Sequence, residues 1–186
     1  MFKHDLGDGA ELRVLEARHA AEFLHFVDEN RAFLGRWLRW GEEITTVAEA
    51  ETFLRRGVKV YVEDGLPWVG IWREGKMVGG VLFFPVEARI AATEVGYWLG
   101  EGATGRGLVT RAVSAMLDYA FGTLGLHRVA LLAEVGNEKS LAVARRLGFT
   151  EEGLKRAGGV NRGQYVDLVA FSLLAEEWAA RSAPTS

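Results

Sequence analysis

The spacing of apolar residues alternates between a helical and a strand period, and the changes mark out the elements. A short strand is predicted over 11–15. Ala20, Phe23, Leu24 and Val27 then recur every three or four residues, which lays them on one face of a helix over 17–34. Trp37, Leu38 and Trp40 follow in a short stretch broken by polar residues. Thr46 is suited to cap a second helix, with Glu49 three residues later as its capping-box partner, and the helix should run from about 47 to 60. From Pro67 the period falls to two, with Trp68, Gly70 and Trp72 alternating with Val69 and Ile71. Glu74-Gly75 reads as a hairpin turn, followed by a returning strand over 77–85 and a third over 93–99.

The helical period then returns. Val109, Ala112, Val113, Met116, Leu117, Ala120 and Leu124 form one apolar stripe, closed by Gly122 and Gly125. A strand is predicted over 128–135. Asn137 opens a short helix with Leu141, Ala144 and Leu147 inward, and Gly148 stops it. The last strand covers 166–174. A tail helix starts at Ala175 and frays from about Ser182. Hairpins early and one strand-helix-strand unit late imply an α+β fold, with a mostly antiparallel sheet and one parallel pair. A length of 186 residues suits one domain, 1–186, with an ordered core over about 9–181.

Composition narrows the function classes. Apolar residues make up 49% and charged residues 25%, a soluble globular balance. No apolar run spans a bilayer, and the N-terminus lacks the apolar stretch of a signal peptide, so no membrane partner is expected and the cytoplasm is the expected location. A net charge of −3 argues against nucleic-acid binding by the protein as a whole. The lack of cysteine excludes disulfides, thiolate metal sites and a cysteine nucleophile, and no histidine has metal-ligand spacing with a partner. The aromatics at Trp68 and Trp72 look exposed and would allow a homodimer.

The segment with chemical content is the glycine-rich loop before the third helix. Gly100, Gly102, Gly105 and Gly107 let the backbone approach a ligand closely. The helix that starts near Leu108 offers unpaired N–H groups and the positive end of its dipole. Together they make a cradle for phosphate, to which Arg106 and Arg111 could add charge. The loop fits neither the dinucleotide fingerprint nor the Walker pattern, and taken alone it is either an anion site or a turn before a core helix.

With its surroundings, this segment resembles the GNAT N-acetyltransferases, and among them the ribosomal-protein N-terminal acetyltransferases. The family's pyrophosphate pattern, Gln/Arg-x-x-Gly-x-Gly/Ala, reads here as Gly102, Ala103, Thr104, Gly105, Arg106 and Gly107, with glycine in place of the first Gln/Arg. Gly96 to Leu99 resembles the family's fourth strand, and Leu124 to Val129 the entry to its fifth. Asn137 to Ser140 matches Asn-x-x-Ser, and Arg145 to Phe149 and Glu152-Gly153 follow in family order. Tyr165 to Leu174 resembles the last strand, and Phe33 to Trp40 the N-terminal tryptophan segment.

The resemblance implies a GNAT fold in which the fourth and fifth strands splay into a V that takes acetyl-CoA, the acetyl donor to a primary amine: a protein N-terminus, such as a ribosomal protein's, or a small amine. Trp98 and Leu99 on the fourth strand, the loop 102–107 and Asn137 would hold the coenzyme. Tyr97, Trp37 and Trp40 would line the acceptor pocket. Ser140 would donate to the departing thiolate, and the backbone near Tyr97 and Trp98 would stabilise the oxyanion. The subgroup's glutamate base falls at Gly158 or Gly159 in this chain. Glu94 is the best remaining carboxylate and Glu101 the second. The alternative reading is a non-catalytic acyl-CoA sensor or interaction module on the same fold.

Overall fold

The computed structural model describes residues 3–182. In chain order the elements are Lys3–Gly7 (β1), Ala10–Val14 (β2), Ala20–Leu34 (α1), Trp40–Glu43 (α2), Val47–Asp64 (α3), Val69–Arg73 (β3), Lys76–Phe83 (β4), Ala92–Leu99 (β5), Leu108–Asp118 (α4), Arg128–Glu134 (β6), Glu138–Leu147 (α5), Thr150–Asn161 (β7), Gln164–Leu174 (β8) and Ala175–Ser182 (α6). The eight strands are ordered β1-β2-β3-β4-β5-β6-β8-β7. Every neighbouring pair is antiparallel except β5 and β6. The α+β architecture with one parallel pair is therefore as expected. Because β1 adds a strand at the N-terminus, that pair is the fifth and sixth of this chain, where the family's fourth and fifth were anticipated.

Local signals explain most boundaries. Thr46 Oγ1 accepts from Glu49 N–H and Glu49 reaches back to Thr46 N–H, the expected capping box at the start of α3. Gly65, at φ 74°, ends that helix, which runs four residues past the expected Val60. Regular α4 stops at Asp118, before Gly122. The chain continues through a wider π turn over Tyr119–Thr123, with the Tyr119 hydroxyl donating to Gly65 O at 3.0 Å.

Two cores flank the sheet. One lies between the sheet and α4 and α5, around Val95, Met116, Leu131 and Leu141. The other packs α1 and α3 on the opposite face, around Phe23, Phe53, Trp68, Trp72 and Trp98. This corrects the expectation for Trp68 and Trp72, which are 6% and 1% exposed. Their indole N–H groups donate to Phe83 O and Glu22 Oε1, both at 2.8 Å. They are core residues, so the two aromatics on which the dimer expectation rested are not on the surface. No helix among the described residues is long and apolar enough to cross a membrane. The fraying expected beyond Ser182 falls outside the described residues.

Candidate active site

The strand pair β5–β6 is joined only at its start. Ala92, Thr93 and Glu94 pair with Arg128, Val129 and Ala130. Past Glu94 the two strands part, although β5 stays paired to β4 as far as Leu99 and β6 stays paired to β8 as far as Glu134. The result is a V whose β5 arm has an unpaired edge. Phe84 N–H donates to Glu94 O at 2.9 Å and Gly100 N–H to Val78 O at 2.8 Å, so the peptide groups of the even-numbered residues face β4. Strand alternation turns those of Val95, Tyr97 and Leu99 into the gap. An unpaired strand edge is a template for a ligand that can pair like a strand.

The loop at the end of β5 is built around close approach. Asn30 Oδ1 accepts from Glu101 N–H at 3.0 Å and so ties the loop to α1. A Cβ at Gly100 would lie 2.9 Å from that oxygen and 3.1 Å from the Phe26 ring, which only glycine avoids. Gly105 and Gly107 take φ of 78° and 69°, and a Cβ at Gly105 would meet no atom within 4 Å. The backbone there faces open space with no side chain over it. Gly107 caps α4 without a side-chain hydrogen bond, so the first-turn N–H groups of α4 point outward unpaired. Open space, aligned N–H donors and a helix N-terminus fit a diphosphate. Arg106 is exposed. Arg111 is tethered, donating to Arg106 O and Asp8, both at 3.2 Å.

Across the gap, Asn137 Oδ1 accepts from Ser140 N–H at 3.2 Å and caps α5, which leaves its amide N–H2 as a donor near the end of β6. The Tyr97 hydroxyl spans from β5 to α5. It lies 2.8 Å from Ser140 Oγ and 3.0 Å from Ser140 O. Burial pushes the Tyr97 phenol up to about 12, against the pull of the Ser140 hydrogen bond. Tyr97 is therefore a proton donor and not a base at any physiological pH.

Glu94 sits where the V opens, on the sheet face opposite Tyr97. Burial raises its carboxyl above the ordinary range, opposed by the nearby Lys155 charge. The Phe84 ring, 46% exposed, lies on the same face beside Gly96. Trp37 is half-buried and borders Gly136, just after β6. Trp40 packs on Phe23, Phe53 and Trp98 at centroid distances of 5.6, 5.2 and 5.5 Å. Trp98 is 3% exposed and its peptide faces β4. Of the anticipated residues, then, Tyr97, Leu99, Glu94, Ser140, Asn137, Trp37 and the loop 102–107 border the gap. The side chains of Trp40 and Trp98 belong to the core beneath it, and Trp98 N–H is spent on the β-ladder. Glu101 is exposed at the loop, with its N–H on Asn30.

The position of the missing glutamate has its own structure. Between Lys155 and Gly159, β7 bulges: Lys155 opposes Leu168 and Gly159 opposes Val166. Asp167 Oδ1 accepts from Ala157 N–H at 2.7 Å and holds the bulge. A Cβ at Gly158 would lie 2.6 Å from Lys155 Cγ and 2.9 Å from Lys155 O. The Lys155 stem fills the space a side chain at 158 would need.

Sequence reasoning missed Asn30 and Asn161. Asn30 lies on α1, about 70 residues from the loop it anchors, and the only signal was a polar residue in an otherwise amphipathic helix. Asn161 Nδ2 donates to Arg36 O and Glu134 Oε1, both at 2.7 Å.

Comparison with known proteins agrees with this geometry. The family model described as an acetyltransferase (GNAT) domain matches residues 10–150. The chain is 34% identical over 179 residues to "Putative ribosomal N-acetyltransferase YdaF" of Bacillus subtilis, covering 96% of this chain and 98% of that one. It is 25% identical over 157 residues to the ribosomal-protein-serine acetyltransferase of Escherichia coli, covering 84% and 88%. Its fold matches that of RimL, a ribosomal L7/L12 alpha-N-protein acetyltransferase solved in complex with coenzyme A, at a TM-score of 0.88 and 24% identity, over 95% of this chain and 99% of that one.

Proposed function

The chain belongs to the GNAT acetyltransferase family, and we propose that it moves the acetyl group of acetyl-CoA to the α-amine of a protein N-terminus, of the ribosomal kind named for its relatives. The observation that carries this reading is the unpaired β5 edge opening beside the glycine cradle. An extended amide-bearing arm pairs with Val95, Tyr97 and Leu99, while its diphosphate rests on Gly105, Gly107 and the start of α4. Asn137, through its free amide N–H2, holds the arm on the other side. A ribosomal acceptor places the reaction in the cytoplasm. We read 1–186 as one acetyltransferase domain.

The chemistry follows from where the groups lie. The amine attacks the thioester carbonyl directly, so both substrates must be held in line. An α-amine has a pKa near ~8 and is mostly protonated at neutral pH. Glu94, its carboxyl raised by burial, takes the amine's proton directly or through a water. Tyr97 N–H faces the gap and serves the oxyanion. The Ser140 hydroxyl donates to the leaving thiolate, while Tyr97 donates to Ser140 Oγ and fixes its direction. The reaction so drawn calls on no metal and no covalent enzyme intermediate.

Isothermal titration of the purified protein with acetyl-CoA, CoA and ATP tests the reading. Micromolar binding of both coenzyme A forms, with ATP much weaker, is expected, followed by CoA release that depends on an added N-terminal peptide. Absence of binding would reduce the loop 102–107 to a turn and defeat the proposal.

A further inference from the structure

The mouth of the V is bridged by the segment 30–42, and both arms are tied to it. On the β5 side the tie is Asn30 to Glu101 N–H. On the β6 side, Lys139 Nζ stands 5.5 Å over the Phe33 ring. The β7–β8 turn adds the most direct link. Asn161 Nδ2 joins the Arg36 carbonyl to the carboxylate of Glu134, the last residue of β6. The next residue, Arg162, pairs with Glu42 on α2 at 3.1 Å. Val129, Leu131 and Ala133 of β6 point into the core beside α4 and α5, so Glu134 lies on the opposite face of the sheet, the face that carries Glu94.

Asn161 is held in this place against its own interest. Its Oδ1 is buried with no hydrogen-bond partner, which costs free energy and asks for a function. Its amide N–H2 is spent on joining two segments distant in the chain. Neither partner belongs to the glycine loop or to the β5 edge. Asn161 fixes the start of the segment 36–42, the wall on the acceptor side of the gap, through the Arg36 carbonyl, while Arg31 holds its far end through Gly41 O and Glu42 O.

We propose that Asn161 is a positioning residue for the amine acceptor: by joining Arg36 O to Glu134 it holds the wall 36–42 over the acceptor side of the V. The inference rests on the transferase reading above. The wall orients the incoming amine against the acyl donor, and loosening it costs alignment of one substrate without touching the other.

The test compares Asn161→Ala and Asn161→Asp in the full chain, with acetyl-CoA and a peptide carrying an N-terminal serine. The aspartate offers no N–H and sets a carboxylate against both Glu134 and a carbonyl, so it should be the worse of the two. kcat/KM for the peptide should fall on the order of tenfold for alanine and further for aspartate, while the Kd for acetyl-CoA stays within about twofold. Adding Glu134→Gln to the aspartate variant should restore part of the loss, because the amide so introduced can donate to the carboxylate at 161 and re-form the link to β6 with its direction reversed. Hydrogen exchange supplies a readout independent of turnover: amides of 36–42 should exchange faster in Asn161→Ala, and those of 100–108 should not. Peptide kinetics unchanged in both variants, or acetyl-CoA affinity falling in step with them, overturns the proposal. A wild-type protein that acetylates nothing refutes the transferase reading instead, and exchange at 36–42 then decides the tie: unchanged rates overturn it.

Discussion

Replacing Tyr97 by phenylalanine removes a hydrogen-bonded bridge between the β5 arm and α5. The ring stays, so packing is conserved. Contacts of 2.8 Å to Ser140 Oγ and 3.0 Å to Ser140 O are lost. The carbonyl keeps its helical acceptor role, so the loss amounts to about one neutral hydrogen bond, ~1 kcal/mol, or a Tm lower by about 2–4 °C at this chain length. The kinetic effect depends on which way the protons point. While Ser140 donates to Tyr97, its hydroxyl hydrogen is turned away from the gap. When a thiolate forms, Ser140 must turn towards the sulfur, and Tyr97 then donates to its Oγ. The phenol, at about 12, stays protonated throughout. Losing that donor in the transition state should lower kcat by roughly tenfold, the equivalent of ~1.4 kcal/mol, with acetyl-CoA affinity unchanged. Because Tyr97 acts through Ser140, Tyr97→Phe/Ser140→Ala should be no slower than Ser140→Ala alone. Single-turnover kinetics on the three variants measures this. Multiplying effects, or an unchanged kcat in Tyr97→Phe, would refute the bridge as a catalytic device.

Gly105→Asp or Gly107→Asp should weaken acetyl-CoA binding by on the order of a hundredfold or more, through like charge in the cradle, while circular dichroism stays native; normal binding by a folded variant would remove the cradle. Glu94→Gln should abolish the acidic limb of the pH–rate profile. Since burial raises the folded carboxyl of Glu94, the folded state holds its proton more tightly than the unfolded chain. The group therefore costs stability as pH rises from the ordinary carboxylate range through the raised value, and Glu94→Gln should melt higher than wild type at pH 7; a lower Tm would contradict the burial argument. Gly57→Ala should destabilise, although alanine ordinarily favours a helix by ~1 kcal/mol: the added Cβ would lie 2.5 Å from the buried Trp68 ring, an overpacking cost of about 1–3 kcal/mol, which calorimetry would read as a lower Tm.

Much of the fold was legible because the signals are local. The Thr46–Glu49 box, the Glu74-Gly75 turn, the Gly148 stop and the apolar stripe of α4 lie within a few residues of what they specify. The edge strands β1 and β7 were not legible. β1 buries only Leu6 among its five residues, and β7 is exposed along almost all its length. An edge strand needs no apolar face, only a partner's peptide groups, and these carry no sequence signature. Burial of Trp68 and Trp72 failed for a related reason: alternation shows that two faces exist, but not that helices cover both.

The site divides in the same way. The sequence by itself determined the glycine cradle, the Asn137 cap and the helix behind the loop, since each depends on backbone conformation set by neighbouring residues. Only the tertiary structure decided that Trp98 faces the core while Tyr97 reaches Ser140, that Lys155 fills the space beside Gly158, and that Asn30 and Asn161 tie α1 and its following turn to the two arms of the V. The ties made by Tyr97, Asn30 and Asn161 join residues 27 to 125 positions apart. Which residues meet across such distances depends on strand register and on the splay of β5 from β6, and both are properties of the packed sheet as a whole.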